Sequence, residues 1–269
     1  MNFTLRNIVA IAAFAVVFTS CSNDDDAITA VDGKGEVELT FDNSVNGDNL
    51  ILGTTYTNSN NETLKINRFS YIVSNFVLID DKGQEYTYPK DKSYFVISEE
   101  ANKTTFHLEN IPVGNYTKIK FGLGVDQAKY ATGELAQQEF WDEAAANNLT
   151  WTWSTGYRFI NFEGTFSSPA VTGSKAYQVH LGSNSATDNY REVTLSFPTT
   201  ARVRTDAFPS VHLITDVNKV LDGETKIKLS EAMNGAGTAA TIMGGAKLIS
   251  IANNTKGMFV VDHVHATGH

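Results

Sequence analysis

The sequence predicts a mainly β protein, an immunoglobulin-like Greek-key β-sandwich with one or two short helices. Segments such as Glu36–Phe41 and Thr117–Phe121 alternate polar and apolar residues, which is typical of strands with one solvated face. Turn signals separate these segments, among them Asp80–Gly83 and Ile111–Tyr116, where glycine and proline favour chain reversal. Many short strands divided by such turns indicate a sandwich.

Further strands follow along the chain. Phe69–Ile79 is rich in β-branched and aromatic residues, and it precedes a hairpin turn and a second strand at Glu85–Tyr88. Short strands are then predicted at Ala176–Leu181, Arg191–Phe197, Ser210–Val217, Lys226–Leu229 and Met258–His265.

Two segments break the strand pattern. Glu134–Asn147 combines an alanine run with apolar residues at helical spacing and predicts a surface helix before the tryptophan segment. Thr238–Asn253 also has apolar residues near helical spacing, although Gly244 and Gly245 weaken a helix there.

The N-terminus has the pattern of an exported lipoprotein. Residues 1–20 contain Arg6 and an apolar run of about 11 residues, too short for a membrane core that needs about 20, so we interpret them as a signal peptide. Cys21 is the only cysteine and stands where a lipoprotein signal peptidase requires one. We therefore expect Cys21 to be lipidated. The alternative is an ordinary signal peptide followed by an incidental thiol.

The chain after the signal peptide divides into a tether and a domain. Residues 21–34 begin with the acidic run Ser22–Asp26, which favours a flexible tether, and residues 35–265 form the predicted sandwich domain. We expect an outer membrane lipoprotein, anchored to the membrane by its N-terminal lipid. Its domain faces either the periplasm or the cell surface.

Composition and motifs exclude several functional classes. The net charge of −9 without a long basic run argues against nucleic acid as a partner. With Cys21 committed to lipid, no thiol remains for a disulfide, a thiolate metal site or a cysteine nucleophile. The sequence also lacks a Gly-x-Ser-x-Gly elbow, a His-Glu-x-x-His motif and a phosphate-binding glycine loop. We therefore do not expect an enzyme.

The segment Trp151–Phe159 concentrates aromatic residues. Trp151 and Trp153 are two of the three tryptophans and lie two positions apart. In a strand both indoles would project from one face, with Tyr157 and Phe159 continuing the same period. Taken alone, the pattern favours packing; a redox or metal site is the alternative.

Several histidines are candidate metal ligands. His263 and His265 in the last strand would place both imidazoles on one face, about 7 Å apart at Cβ, a span that one metal ion can bridge. Imidazole without thiolate favours copper, zinc or nickel, with copper first in affinity. The alternative is a frayed tail with solvated histidines. His107 and His212 lack polar neighbours in sequence and are expected to be structural.

Several motifs together resemble the MbnP-like copper-binding protein family. They include Tyr71–Asn75, Ile111–Tyr116, Gly122–Asp126, Trp151–Phe159, Glu163–Gly164 and His180–Gly182. The resemblance covers most of Glu36–His265. It implies an extracytoplasmic β-sandwich that binds copper through histidines. In some members a tryptophan, oxidised to kynurenine by a MauG-like dihaem partner, helps to hold the metal.

The resemblance assigns roles to individual residues. His180 stands in the matching His-Leu-Gly position and is the implied copper ligand, and Trp151 or Trp153 is the implied oxidised tryptophan. His263 or His265 is the candidate for a second ligand. We therefore expect a lipid-anchored copper-binding protein in copper capture or delivery. The alternative is a cell-surface binding or adhesion module of the same fold without metal.

Overall fold

The computed structural model describes residues 33–130, 138–152, 156–184 and 186–266. Its strands are β1 (Lys34–Val45), β2 (Asp48–Asn49), β3 (Thr55–Thr57), β4 (Thr63–Asp80), β5 (Glu85–Thr87), β6 (Tyr94–Ser98), β7 (Thr105–Pro112), β8 (Gly114–Leu123), β9 (Ile160–Ser167), β10 (Lys175–Leu181), β11 (Arg191–Val203), β12 (Ser210–Asp216), β13 (Ala239–Ile242) and β14 (Phe259–His265). The α-helices are α1 (Gln127–Tyr130), α2 (Gln138–Ala146), α3 (Lys219–Asp222) and α4 (Gly245–Asn254), and short 3₁₀ turns occupy Lys90–Lys92, Leu229–Ala232 and Thr255–Gly257.

The strands described here form two sheets. The smaller sheet has the order β14-β12-β1-β2, and β7 pairs with β1 as well. The larger sheet has the order β11-β8-β4-β9-β10-β13, and the long strand β4 also pairs with β3, β5 and β6. Most pairs are antiparallel, but β1 with β12 and β10 with β13 are parallel. The turn at Val113 joins β7 of the smaller sheet to β8 of the larger one.

An aromatic core fills the space between the sheets. Phe41 of β1 lies 6.2 Å from Tyr71 of β4 and 5.7 Å from Phe121 of β8, measured between ring centroids. Phe259 of β14 lies 5.1 Å from Phe121. These four rings are almost completely buried. Because side chains alternate between the faces of a strand, their neighbours in sequence point away from the core.

The predicted β-sandwich with a few short helices is confirmed, and most predicted strands lie within observed ones. Lys226–Leu229 is an exception, since it forms only an isolated bridge at Lys226 and the start of a 3₁₀ turn. The buried carboxylate of Glu62 explains this difference, because it accepts hydrogen bonds from the backbone N–H groups of Leu229 and Ser230 at 2.8 and 2.9 Å. These two N–H groups donate to a side chain and are therefore not available for hydrogen bonds to a neighbouring strand.

The two helical predictions are correct only in part. Helix α2 lies inside the predicted Glu134–Asn147 segment. The second predicted helix, Thr238–Asn253, divides into strand β13 and helix α4, and the division falls at Gly244 and Gly245. Gly245 has a φ angle of 73°, a left-handed conformation that favours glycine and separates the two elements.

The N-terminal predictions lie outside the described residues. The signal peptide, Cys21 and nearly all of the tether fall within residues 1–32. Within the described part of the chain, no helix has the length and apolar character needed to cross a membrane.

Candidate functional site

His180 projects from the outer face of the larger sheet. Its neighbour Val179 pairs with Phe162, whose ring packs 5.7 Å from Phe69 on the core side of the sheet. The alternation of the strand therefore directs His180 away from the core. The residue is nevertheless buried, with only 2% of its surface exposed.

A carboxylate orients the His180 imidazole. Nε2 of His180 lies 2.7 Å from Oε1 of Glu163 on the adjacent strand β9. Glu163 also faces Arg68 of β4, at 3.5 Å between Oε2 and Nη1, and Arg68 pairs with Glu100 at 3.0 Å. The hydrogen bond with His180 holds the pKa of Glu163 below its ordinary value, with help from neighbouring arginines, although burial acts in the opposite direction.

This arrangement defines which imidazole nitrogen can act as a ligand. An ionised carboxylate only accepts hydrogen bonds, so Nε2 of His180 donates to Glu163 and the neutral ring keeps its lone pair on Nδ1. Carboxylates commonly orient metal-ligating histidines in this manner. The role of Glu163 was not predictable from the sequence, because it depends on the register between β9 and β10.

A row of buried polar atoms crosses three strands at His180. Ser70 of β4 pairs with Asn161 of β9, and Asn161 pairs with His180 of β10. Oγ of Ser70, Oδ1 of Asn161 and Nδ1 of His180 are all buried, and none has a hydrogen-bond partner among the described residues. Buried polar atoms are rarely left unpaired, so this row is suited to a polar ligand or an ion.

Trp151 lies over this part of the sheet, but not in a strand. Its ring centroid lies 5.9 Å from that of His180, and the guanidinium of Arg158 lies 4.9 Å from the centroid of the Trp151 ring. The neighbouring residue Thr150 forms an isolated β-bridge with Tyr157. The strand geometry considered for this segment therefore does not apply at Trp151, which lies outside any strand. Trp153, the other predicted oxidation candidate, lies outside the described residues.

Gly182 allows the close approach of Trp151. A Cβ atom at residue 182 would lie 2.6 Å from the carbonyl oxygen of Tyr157 and 3.2 Å from the Trp151 ring. Trp151 and Gly182 also line a cavity of about 210 Å³ together with Leu248 and Ile249. Trp151 thus contacts both the buried histidine and a cavity. We call His180, Glu163 and Trp151 the buried histidine site.

His263 and His265 meet a third histidine, His212. Nε2 of His263 lies 2.9 Å from Nε2 of His265, and the His263 ring stacks on His212 with centroids 4.4 Å apart. Each of the three residues offers one nitrogen such that all three nitrogens lie within 4.8 Å of one another. We call these three residues the histidine cluster.

His212 and His107 both have carboxylate neighbours that their local sequence does not indicate. Nδ1 of His212 lies 3.0 Å from Oδ2 of Asp42, a residue of the neighbouring strand β1. His107 lies 3.7 Å from Glu36 and 3.4 Å from Glu38, also on β1. The prediction that these histidines have no polar neighbours is wrong, because it rested on neighbours in sequence alone. Strand pairing supplies the carboxylates from positions far away in the chain.

The structure separates the predicted ligands into two places. His212 alternates with the fully buried Val211 and Leu213, so the histidine cluster projects from the outer face of the smaller sheet. His180 projects from the outer face of the larger sheet. Packed sheets lie about 10 Å apart, whereas metal–imidazole bonds are about 2 Å long. One ion therefore cannot contact both groups, and each must be considered as a site of its own.

Comparisons with known proteins place the chain in a family. The sequence model of the MbnP family matches residues 34–243, more than half of the chain. Among solved structures, the chain is similar to MbnP from Methylosinus trichosporium, with a TM-score of 0.48 and 17% identity, over 80% of this chain and 82% of that chain. No curated protein sequence matches the chain. The family match includes Trp151, Glu163 and His180 and ends before β14.

Proposed function

Because this chain belongs to the MbnP family, we propose that it is a lipid-anchored extracytoplasmic protein that binds copper, in copper capture or delivery at the cell envelope. On this proposal Cys21 carries the lipid, and the domain of an outer membrane lipoprotein faces the periplasm or the cell surface. The protein binds its metal rather than converting a substrate.

The observation that carries the proposal is the buried Nδ1 of His180, which lies beside Trp151 and has no hydrogen-bond partner among the residues that the structure describes. Glu163 fixes the ring so that this nitrogen has the lone pair, and Asn161 supplies an oxygen without a hydrogen-bond partner among the described residues. Imidazole nitrogen is a preferred ligand of copper. The residues present therefore fit a copper ion.

The second part of the proposal concerns Trp151. The resemblance to copper-binding relatives implies that a MauG-like dihaem partner oxidises a tryptophan to kynurenine. Trp151 is the described candidate, because its ring lies 5.9 Å from His180 and lines a cavity at the protein surface. Its conversion would add a carbonyl and an amine near His180, and both are groups that can bind a metal.

Copper titration of the full-length protein tests the site. We expect His180→Ala to lose copper binding at this site, because the buried nitrogen is its central ligand. His107→Ala is the matched control, since His107 lies beside carboxylates on the smaller sheet and outside the site. Both variants should be prepared in a His212→Ala, His265→Ala background, so that no other described histidine group contributes. Unchanged copper affinity in His180→Ala would reject the site.

Mass spectrometry of the exported protein tests the modification. Kynurenine formation adds one oxygen to tryptophan and removes one carbon, so the peptide containing Trp151 should change in mass accordingly. Coexpression with and without a dihaem peroxidase gives the control. A copper-free, unmodified protein in both preparations would favour the alternative, a surface binding module of the same fold.

A further inference from the structure

We propose that the histidine cluster is a second cation site, built for a divalent transition-metal ion that prefers imidazole, such as Zn²⁺, Cu²⁺ or Ni²⁺. His212 of β12 and His263 and His265 of β14 form the site on the outer face of the smaller sheet. This inference does not depend on the copper site at His180. It also concerns β14, which follows the residues that match the family.

The distances between the nitrogens suit a metal ion. Two nitrogens bound tetrahedrally at about 2.0–2.1 Å from zinc are separated by about 3.3 Å. Nε2 of His263 and Nε2 of His265 lie 2.9 Å apart, and all three ligand nitrogens lie within 4.8 Å. Only small side-chain adjustments would therefore bring the three nitrogens around one ion. A fourth position would remain for water, as in known sites with three histidines.

Carboxylates orient two of the three imidazoles. Nδ1 of His212 lies 3.0 Å from Asp42, and Nδ1 of His263 lies 2.7 Å from Asp262. Each carboxylate accepts a hydrogen bond from Nδ1–H, so the lone pair of each neutral ring lies on Nε2. This pairing is typical of metal-ligating histidines, and the two negative charges also favour a cation.

A β-bulge builds this arrangement. His212 pairs with His263, but the next residue, Leu213, pairs with Val261, so Asp262 is an extra residue in β14. In a regular strand, Asp262 and His263 would point to opposite faces. The bulge allows the carboxylate to reach the imidazole of its neighbour, and bulges often redirect side chains at functional sites. The cluster therefore results from a specific backbone irregularity as well as from the His-x-His spacing.

The close contact between His263 and His265 is compatible with a shared proton or with a shared cation. With its Nδ1 proton directed to Asp262, His263 has a lone pair on Nε2, and that atom lies 2.9 Å from Nε2 of His265. Without an ion, an Nε2–H of His265 donates a hydrogen bond to this lone pair. On the proposal, a metal ion takes the place of that proton and also binds His212.

Zn²⁺ titration by calorimetry tests the second site. The protein should be full-length, purified without a histidine tag, and carry His180→Ala so that the proposed copper site does not contribute. We expect one Zn²⁺ per chain. Loss of a residue that only orients a ligand typically lowers metal affinity by roughly 10–100-fold. Because His212 and His265 are proposed to bind the ion directly, His212→Ala and His265→Ala should each lower the Zn²⁺ affinity by more than that. His107→Ala, beside Glu36 and Glu38 and outside the cluster, is the control that should retain the affinity.

His265 keeps the test interpretable if His212→Ala fails to fold. His265 is exposed, so its substitution should leave the circular dichroism spectrum unchanged while removing a ligand. Co²⁺ provides a second readout, because a tetrahedral site with histidine ligands gives an intense visible spectrum that a solvated ion lacks. Wild-type Zn²⁺ affinity in a folded His265→Ala protein would overturn the proposal, as would an equal loss in His107→Ala.

Discussion

The buried histidine site and the histidine cluster use the same pair of groups, an imidazole held by a carboxylate, in opposite surroundings. His180 is 2% exposed and is covered by Trp151, whereas His265 is exposed on the outer face of the other sheet. The comparison shows that burial determines which other groups can complete the set of metal ligands around a histidine. The cluster has three imidazoles in place, while the buried site has one imidazole and neighbouring polar oxygens.

Burial also decides what each carboxylate does for the fold. Glu163 connects His180 to Arg68 within a partly buried network, so its charge is needed there. Asp42 and Asp262 contact solvent beside the cluster, and water can replace either of them. Stability and metal affinity should therefore be coupled at the buried site and separable at the cluster. The predictions below test this difference.

The largest effect is expected from Glu163→Gln. The amide cannot balance the charges of Arg68 and Arg158, and it no longer selects the His180 tautomer that presents Nδ1. We expect the free energy of unfolding to fall by about 2–3 kcal/mol, as for a partly buried ion pair that loses one partner. Copper affinity should fall by roughly 10–100-fold as an outer-shell contact is lost.

Urea denaturation and copper titration, both in the His212→Ala, His265→Ala background, measure the two effects of Glu163→Gln. Glu192→Gln, at an exposed edge position outside the site, is the control and should change neither quantity. A variant that loses copper affinity with unchanged stability would contradict the proposed coupling of the two properties.

Gly182→Ala should have a smaller effect, through packing alone. The new methyl group would meet the Tyr157 carbonyl oxygen at 2.6 Å and the Trp151 ring at 3.2 Å, and the backbone oxygen cannot easily move away. We expect a loss of about 1–2 kcal/mol, as is typical of overpacking, with displacement of Trp151 from His180. Gly235→Ala is the control, because nothing lies within 4 Å of that position. Equal stability of both variants by urea denaturation would contradict the packing argument.

Both sites were partly predictable from the sequence. The alternation of β14 correctly predicted that His263 and His265 share a face, because strand periodicity is a local property. The third histidine was missed because the pairing of β12 with β14 and the bulge at Asp262 depend on distant parts of the chain. The same limit applies to Glu163, which reaches His180 only through the register of β9 and β10.

The fold shows the same division between local and distant information. Alternating segments identified most strands, but the parallel pairing of β1 with β12 leaves no local signal. At Leu229, the distant carboxylate of Glu62 takes the backbone donors and prevents a strand that composition favours. Trp151 had the residue pattern of a strand, yet it lies outside the observed strands, beside the isolated Thr150–Tyr157 bridge.

Acid should weaken the network at Glu163. Its pKa is lowered in the folded protein, so the carboxylate contributes stability that is fully present above its unfolded pKa and is lost as the pH falls through the folded value. The free energy of unfolding should therefore decline below about pH 4–5, where a free glutamate begins to protonate. Glu163→Gln should show a shallower decline in urea denaturation at pH 3–6. Parallel curves for the wild type and the variant would contradict a role of this charge in stability.

The smallest effect on stability is expected from Asp42→Asn, the counterpart of Glu163→Gln at the exposed cluster. Asp42 contacts His212 at 3.0 Å but lies at the surface, so the free energy of unfolding should change by no more than about 0.5 kcal/mol. Zn²⁺ affinity should nevertheless fall by about tenfold, because the amide holds the His212 ring less firmly and removes a negative charge. Calorimetry with Zn²⁺ and urea denaturation of the same preparation, in the His180→Ala background, measure both quantities. Asp48→Asn is the control for an exposed acidic residue outside the cluster. A stability loss in Asp42→Asn as large as that in Glu163→Gln would show that burial does not distinguish the two carboxylates.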